Sequence, residues 1–311
     1  MKTKRTQRGG DALYKAFIYV ALITFVITIL VPVSWAFLAS VKEDSEFYGN
    51  PWALPQGFHF QNFIDAFNKA NMGAYFFNSV LVTALALALL LVVALPASYV
   101  LSRFKFRGRR VLSVAFMGGL FINVNYIVVP IFLMLVDGNK GLASLMESLR
   151  VEEGSPVYNL FGNGFFLNNH FILALVYAST ALPFTIYLLS SYFQTLPKDF
   201  EEAAYVDGSG YFHTMVKVIM PMAKPSIITV ILFNFLSFWN EYIISMTLMS
   251  SATGQRTLPV GLLNLMQAQQ SAAEYGMMYA GLVLVMLPTL ILYICVQSKL
   301  TEGMTVGGLK G

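Results

Sequence analysis

The chain has 311 residues, 57% hydrophobic and only 12% charged, with a formal net charge of +4 and a mean hydropathy of +0.64. A soluble domain carries about 25% charged residues, so the composition excludes an ordinary water-soluble fold and makes lipid the expected solvent. The single cysteine, Cys295, excludes an intrachain disulfide and a metal site built from cysteines.

A bilayer core of about 30 Å takes about 20 consecutive apolar residues as a helix. Six segments meet that test: 16–40, 75–101, 111–136, 171–194, 226–249 and 277–297. The predicted fold is therefore an all-α integral membrane protein. It has a tail over 1–15, a six-helix domain over 16–298 and a second tail over 299–311. Lys2, Lys4, Arg5 and Arg8 precede the first span in the manner of a signal peptide. Its apolar stretch exceeds the roughly 7–15 residues of a signal core, so a retained helix is expected.

Six spans divide the loops between two sides. Fifteen of the 20 basic residues fall on the side of the termini, in the N-terminal tail, Ser102–Arg110, Thr195–Pro225 and the C-terminal tail. Only Lys42, Lys69, Lys140, Arg150 and Arg256 fall on the other. Basic residues accumulate in cytoplasmic loops, which places both termini in the cytoplasm. Ser102–Arg110 resembles a nucleic-acid patch in composition, but in so short a loop an orientation signal is the preferred reading.

Span three carries Asn123 and Asn125. On span five, Asn234, Ser237, Glu241 and Ser245 fall at i, i+3, i+7 and i+11, one stripe of a continuous helix. Charged groups in spans face protein or water, so the stripe is expected inside the bundle. It reads as a hydrophilic translocation path for sugar hydroxyls or as helix–helix polar glue. Pro96, Pro183 and Pro288 are expected to kink their helices, while Trp35 and Trp52 read as interface residues.

The loop over 195–225, between spans four and five, is the longest on the basic side and carries its own helical signals. Pro197 suits a first turn, and Asp199, Glu201 and Glu202 complement the positive helix end. Gly208 and Gly210 stop that helix. A second run, 211–220, is expected to end at Pro221. An interfacial helix is the alternative, although an acidic first turn fits an anionic membrane poorly.

In this loop Glu202-Ala203-Ala204, Asp207-Gly208 and Val218-Ile219-Met220-Pro221 resemble the EAA loop of ABC importer permeases. Val218 and Met220 replace the usual Ile and Leu. Leu182-Pro183-Phe184, Phe238-Trp239-Asn240-Glu241-Tyr242 and Gly307-Gly308-Leu309-Lys310-Gly311 extend the resemblance from about span two to the end. They are similar to the smaller permease of carbohydrate-uptake importers for oligosaccharides and glycerol phosphate, the maltose importer among them. The resemblance implies a permease of a bacterial or archaeal inner or plasma membrane. Its implied partners are a second permease, two ATP-binding subunits and an extracytoplasmic substrate-binding protein. It further implies that the loop is a coupling helix docked in an ATPase groove, a helix-in-groove contact. Glu201, Glu202, Ala203, Ala204, Asp207, Gly208 and Pro221 would be its coupling residues, with Glu201 and Glu202 offering carboxylates to the partner.

One departure is an extracytoplasmic insert of about 25 residues over 137–164, ahead of Leu167-Asn168-Asn169, containing Glu147, Glu152 and Glu153. It reads as a contact for the binding protein or as a tolerated surface insertion. No P-loop occurs: Gly303 and Gly308 have the spacing, but Leu309 stands where Lys is required. His59, His170 and His213 are scattered, so no catalytic or metal constellation and no cofactor are expected. A gradient-driven transporter, an intramembrane enzyme and an importer of a non-sugar solute are the rival readings. The absence of an internal repeat weighs against the first.

Overall fold

The computed structural model describes residues 3–152, 154–161, 164–249, 254–272 and 274–308. Lys2, Glu153 and the last three residues of the C-terminal glycine motif lie outside the described residues. In chain order the elements begin with α1 (Thr3–Ala39), α2 (Ser45–Gly49), α3 (Gln61–Asn68), α4 (Met72–Arg103) and α5 (Arg109–Gly119). Next come α6 (Val124–Ser148), α7 (Pro156–Phe161), α8 (His170–Thr195), α9 (Asp199–Val206) and α10 (Tyr211–Thr214). A π turn (Met215–Ile219) leads to α11 (Met220–Met222), α12 (Lys224–Trp239), α13 (Ile243–Leu248), α14 (Leu258–Ala272) and α15 (Tyr275–Gly308).

Tyr14–Ala39, Met72–Arg103, Val124–Ser148, His170–Thr195 and Tyr275–Gln297 are long and apolar enough to cross a membrane. The pair Tyr211–Met222 and Lys224–Trp239, bent by 79°, brings the candidates to six. In hydrocarbon a helix satisfies its backbone polar groups internally, which is why apolar runs of this length become helices. The fold is an all-α membrane protein, as the composition requires.

Two predicted spans are broken. The run 111–136 is not one helix: α5 stops at Gly119 and α6 starts at Val124. Asn123 caps α6, its Oδ1 accepting the Asn125 N–H at 3.0 Å, a role that suits Asn better than a helix interior. Gly119 abuts α8, where a β-carbon would lie 2.8 Å from Pro183 Cγ. The run 226–249 is interrupted at Asn240–Tyr242, between α12 and α13. Nor does the second loop helix end at Pro221. The chain stays helical through a π turn into α11, and Pro221 lies within that run. The bend falls next to Ala223 instead.

The 137–164 insert is also redrawn, because α6 continues to Ser148 and supplies its first part. Asn139 Oδ1 accepts the Phe166 N–H at 2.9 Å, tying the helix to the returning chain. Lys140 pairs with Asp137 at 3.0 Å on the surface.

The chain forms two compact units. Met1–Ala70 with Asn264–Leu284 is the smaller, and Ala66, Leu265, Met277 and Ala280 are its buried cluster. Lys42 is fully buried there, its Nζ donating to the Pro51 carbonyl at 2.7 Å. The same Nζ sits 4.4 Å above the Trp35 ring, a cation–π contact of a kind that strengthens when desolvated. Trp35 in turn packs on Trp52, with centroids 4.7 Å apart. The Gln56 backbone N–H holds the Glu46 carboxyl below the usual carboxylate range.

The larger unit, Asn71–Leu263 with Val285–Gly311, is built on the close pairing of α4 with α8. Leu90 on α4 and Leu173, Leu189 and Phe193 on α8 are fully buried in its core. Both helices run on through their prolines, Pro96 and Pro183. Trp239 closes the end of α12 by donating its indole N–H to the Val285 carbonyl at 3.0 Å. The chain leaves α8 directly into α9, which fixes where the loop helices project.

Candidate functional site

The residues picked out in the 195–225 loop fold into one compact corner of the larger unit. Pro197 lies ahead of the Lys198 cap and outside the first turn expected for it, and α9 starts at Asp199. The acidic groups of its first turn, Asp199, Glu201 and Glu202, complement the exposed N–H groups and the positive helix end. The helix stops in a Schellman motif: the Gly208 N–H donates to the Tyr205 carbonyl at 3.0 Å and the Ser209 N–H to the Ala204 carbonyl at 2.9 Å. This geometry needs a left-handed residue after the cap, and Gly208 supplies it with φ +80°. Asp207 is the C-cap, and Gly210 caps α10.

The faces of α9 differ in what they meet. Glu201 and Ala204 are buried, whereas Glu202, Ala203 and Asp207 are exposed. The expectation that Glu201 and Glu202 both offer carboxylates to a partner therefore divides. Glu201 turns inward to Arg103, with Nε 3.3 Å from Oε1, and only Glu202 presents its charge outward. Hydropathy reading missed two exposed apolar side chains in this loop: Val206, one turn after Glu202 on α9, is 88% exposed, and Phe212 on α10 is 75% exposed. Ala204, Asp207, Gly208, Gly210, His213 and Val218 line an open concavity of about 580 Å³ next to them.

The polar residues of span five are not one stripe. Asn234 is buried, donating to Thr185 Oγ1 at 3.0 Å and to the Val230 carbonyl at 2.8 Å. Ser245 is buried too, its hydroxyl sharing a 2.7 Å hydrogen bond with Thr257 Oγ1. Both hold helices together. Ser237 is exposed. Glu241 sits in the break and caps α13: Oε1 accepts the Ile244 N–H at 2.8 Å and Oε2 the Ser245 N–H at 3.1 Å. The buried Tyr177 hydroxyl donates to Oε2 at 2.7 Å, locking the carboxylate to α8. Asn123 and Asn125, at the other break, are exposed. The intramembrane carboxylate thus has its bonds supplied by the fold, and the exposed amides and hydroxyl remain available.

The comparisons with known proteins agree with this architecture. The family model for the binding-protein-dependent transport system inner membrane component matches residues 7–298. The diacetylchitobiose uptake system permease protein NgcG of Streptomyces coelicolor is 31% identical over 306 residues, spanning 98% of this chain and 92% of that protein. The trehalose/maltose transport system permease protein MalG of Thermococcus litoralis is 26% identical over 303 residues, spanning 97% and 99%. A crystal structure of a bacterial ABC transporter involved in the import of the acidic polysaccharide alginate contains a chain of the same fold. That chain matches with TM-score 0.73 and 24% identity, covering 93% of this chain and 97% of its own length. On this evidence the chain belongs to the family of binding-protein-dependent transport system inner membrane components.

Proposed function

We propose that the chain is the permease subunit of an ATP-driven importer for a sugar or oligosaccharide, with α9 as the helix that docks a separate ATPase. The observation that carries the reading is the two-sided character of α9. One face is bound into the chain through Glu201 and Ala204, and the other leaves Glu202, Ala203 and Val206 exposed, as is Phe212 on α10. That arrangement suits a helix held rigidly from behind and inserted into a partner's groove. The carbohydrate class is supported by relatives named for diacetylchitobiose and for trehalose and maltose. Both termini and α9 lie in the cytoplasm in this reading, because the basic loops cluster on that side. A second permease completes the pore, a second ATPase docks on it, and an extracytoplasmic binding protein delivers the solute, with the 137–164 segment facing it.

Val206→Asp with Phe212→Asp tests the docking face in native membranes. The wild-type chain is expected to co-purify with a second permease and an ATPase, and the variant with the permease alone. Equal ATPase recovery from both would remove α9 as the dock. No ATPase with either would remove the ATP-driven importer.

The translocation path in this reading runs past Ser237, Asn123 and Asn125, with Asn234 and Ser245 as the packing behind it and Glu241 as the cap that shapes it. Polar groups exposed on membrane helices need water or protein against them rather than lipid. With Cys295 replaced by Ser, a Ser237→Cys chain is expected to react with a water-soluble thiol reagent, more slowly when transported solute is present. Labelling from lipid-soluble reagents alone would move the path elsewhere.

A further inference from the structure

The side chain that ends α4 joins three elements at one point. Arg103 Nε lies 3.3 Å from Glu201 Oε1 on α9, and its Nη2 donates to the carbonyl of Leu196 at 2.8 Å. Leu196 is the C-cap of α8. The ion pair is sealed from water, the two side chains being 4% and 10% exposed. Tyr99, one turn back on α4, brings its buried hydroxyl beside Glu201 and Tyr205. The neighbouring Arg109 is committed elsewhere, its Nε donating to the Leu101 carbonyl at 2.8 Å. Glu201 therefore has one guanidinium to answer it, and that guanidinium also holds the end of α8.

A sealed ion pair contributes little to net stability, since the cost of desolvation offsets its attraction. Its value lies in geometry. The planar guanidinium presents several N–H groups in a fixed fork, which an ammonium on a flexible stem does not. Arg103 can thus hold α9 and the α8 terminus at a set angle to α4. Because α4 and α8 form the main helix pair of this unit, a push on α9 reaches α8 along the connecting chain and α4 through Arg103, beside the Phe104–Tyr211–Tyr205 ring contacts.

We propose that Arg103 is a positioning residue for transport: it transmits movement of α9 to α4 and α8 together. The proposal rests on the reading of α9 as the ATPase-docking helix. It separates docking from transmission, since the docking face (Glu202 and Val206 on α9, Phe212 on α10) is exposed and the transmitting contact at Glu201 is buried.

The test uses the complete importer, with both permeases, the ATPases and the binding protein, in proteoliposomes, reading ATP hydrolysis and solute uptake in parallel. Arg103→Gln and Glu201→Gln are expected to retain the ATPase and hydrolyse ATP. Uptake per ATP should fall by about tenfold, within the usual range of coupling free energies between two sites. The double variant is expected to be no worse than either single one, because the partners act as a unit. Arg103→Lys keeps the charge but not the fork and is expected to assemble fully, with uptake per ATP between the two extremes. That variant keeps the test open should the Gln variants fail to assemble. Wild-type uptake per ATP in Arg103→Lys and in an assembled Arg103→Gln would overturn the proposal. So would losses in the double variant that multiply. Absence of any ATPase from the wild-type complex would instead overturn the docking reading on which the proposal stands.

Discussion

Gly208→Pro is expected to abolish solute uptake and release the ATPase while leaving the membrane helices folded. Proline holds φ near −65°, and Gly208 stands at +80°. Proline also removes the N–H that donates to the Tyr205 carbonyl at 3.0 Å. The closure of α9 is lost from both causes, and with it the direction in which Glu202 and Val206 point. A graded series separates backbone from space, because nothing in the chain lies within 4 Å of a β-carbon built at this position. Gly208→Asn should be nearly silent, since Asn tolerates the left-handed region. Gly208→Ala should cost about 1–2 kcal/mol of local stability and only part of the uptake. Uptake and ATPase retention, measured on variants with unchanged helix content, decide the matter. Should Ala and Asn prove as inactive as Pro, a partner pressing on the glycine would be the cause, and not its backbone angle.

Glu241→Ala is expected to destabilise the larger unit by about 2–3 kcal/mol, the scale of hydrogen bonds to a charged group. Three donors converge on the carboxylate: the Ile244 and Ser245 N–H groups and the Tyr177 hydroxyl. Removing it leaves the first turn of α13 uncapped and a buried phenol unpaired. In hydrocarbon those groups find no water to replace it. Glu241→Gln should not rescue, because the amide puts an NH2 donor in place of an acceptor oxygen where three donors already converge. Tyr177→Phe loses one bond, keeps the cap, and should cost about 1 kcal/mol. Thermal unfolding in nanodiscs reads these losses directly. An Ala variant as stable as wild type would make the break in span five self-supporting.

Much of this architecture is legible in hydropathy, and the residues show why part of it is not. The first, second, fourth and sixth spans are found within a few residues, since long apolar runs have no alternative in a bilayer. The third and fifth were read as continuous because an averaged window registers how apolar a run is and not where its backbone turns. Local signals for the breaks were present: Gly118-Gly119 followed by a capping Asn123, and Asn240-Glu241 within a hydrophobic run. The stripe drawn through Asn234, Ser237, Glu241 and Ser245 assumed an unbroken 100° step, which the interruption at Asn240–Tyr242 invalidates. The helices of the 195–225 loop were legible through their capping signals, whereas the inward turn of Glu201 was not. It depends on Arg103, far away in sequence and brought near only by the packing of α4 on α8. Read as sequence, Arg103 was one of five cations in an orientation signal.

The π turn at Met215–Ile219 has a consequence for how this segment varies. A π turn is an α-helix with one residue too many, and each α-helical residue advances the chain by about 100°. Between α9 and the bend that enters α12, that surplus residue works as an angular offset. Losing it would swing the outward face of α9 by about a quarter-turn without altering any residue of that face. The number of residues from Tyr211 to Met222 is therefore under tighter constraint than their identities. Sequences that share this partner geometry should tolerate exchange along the stretch and resist any change in its length.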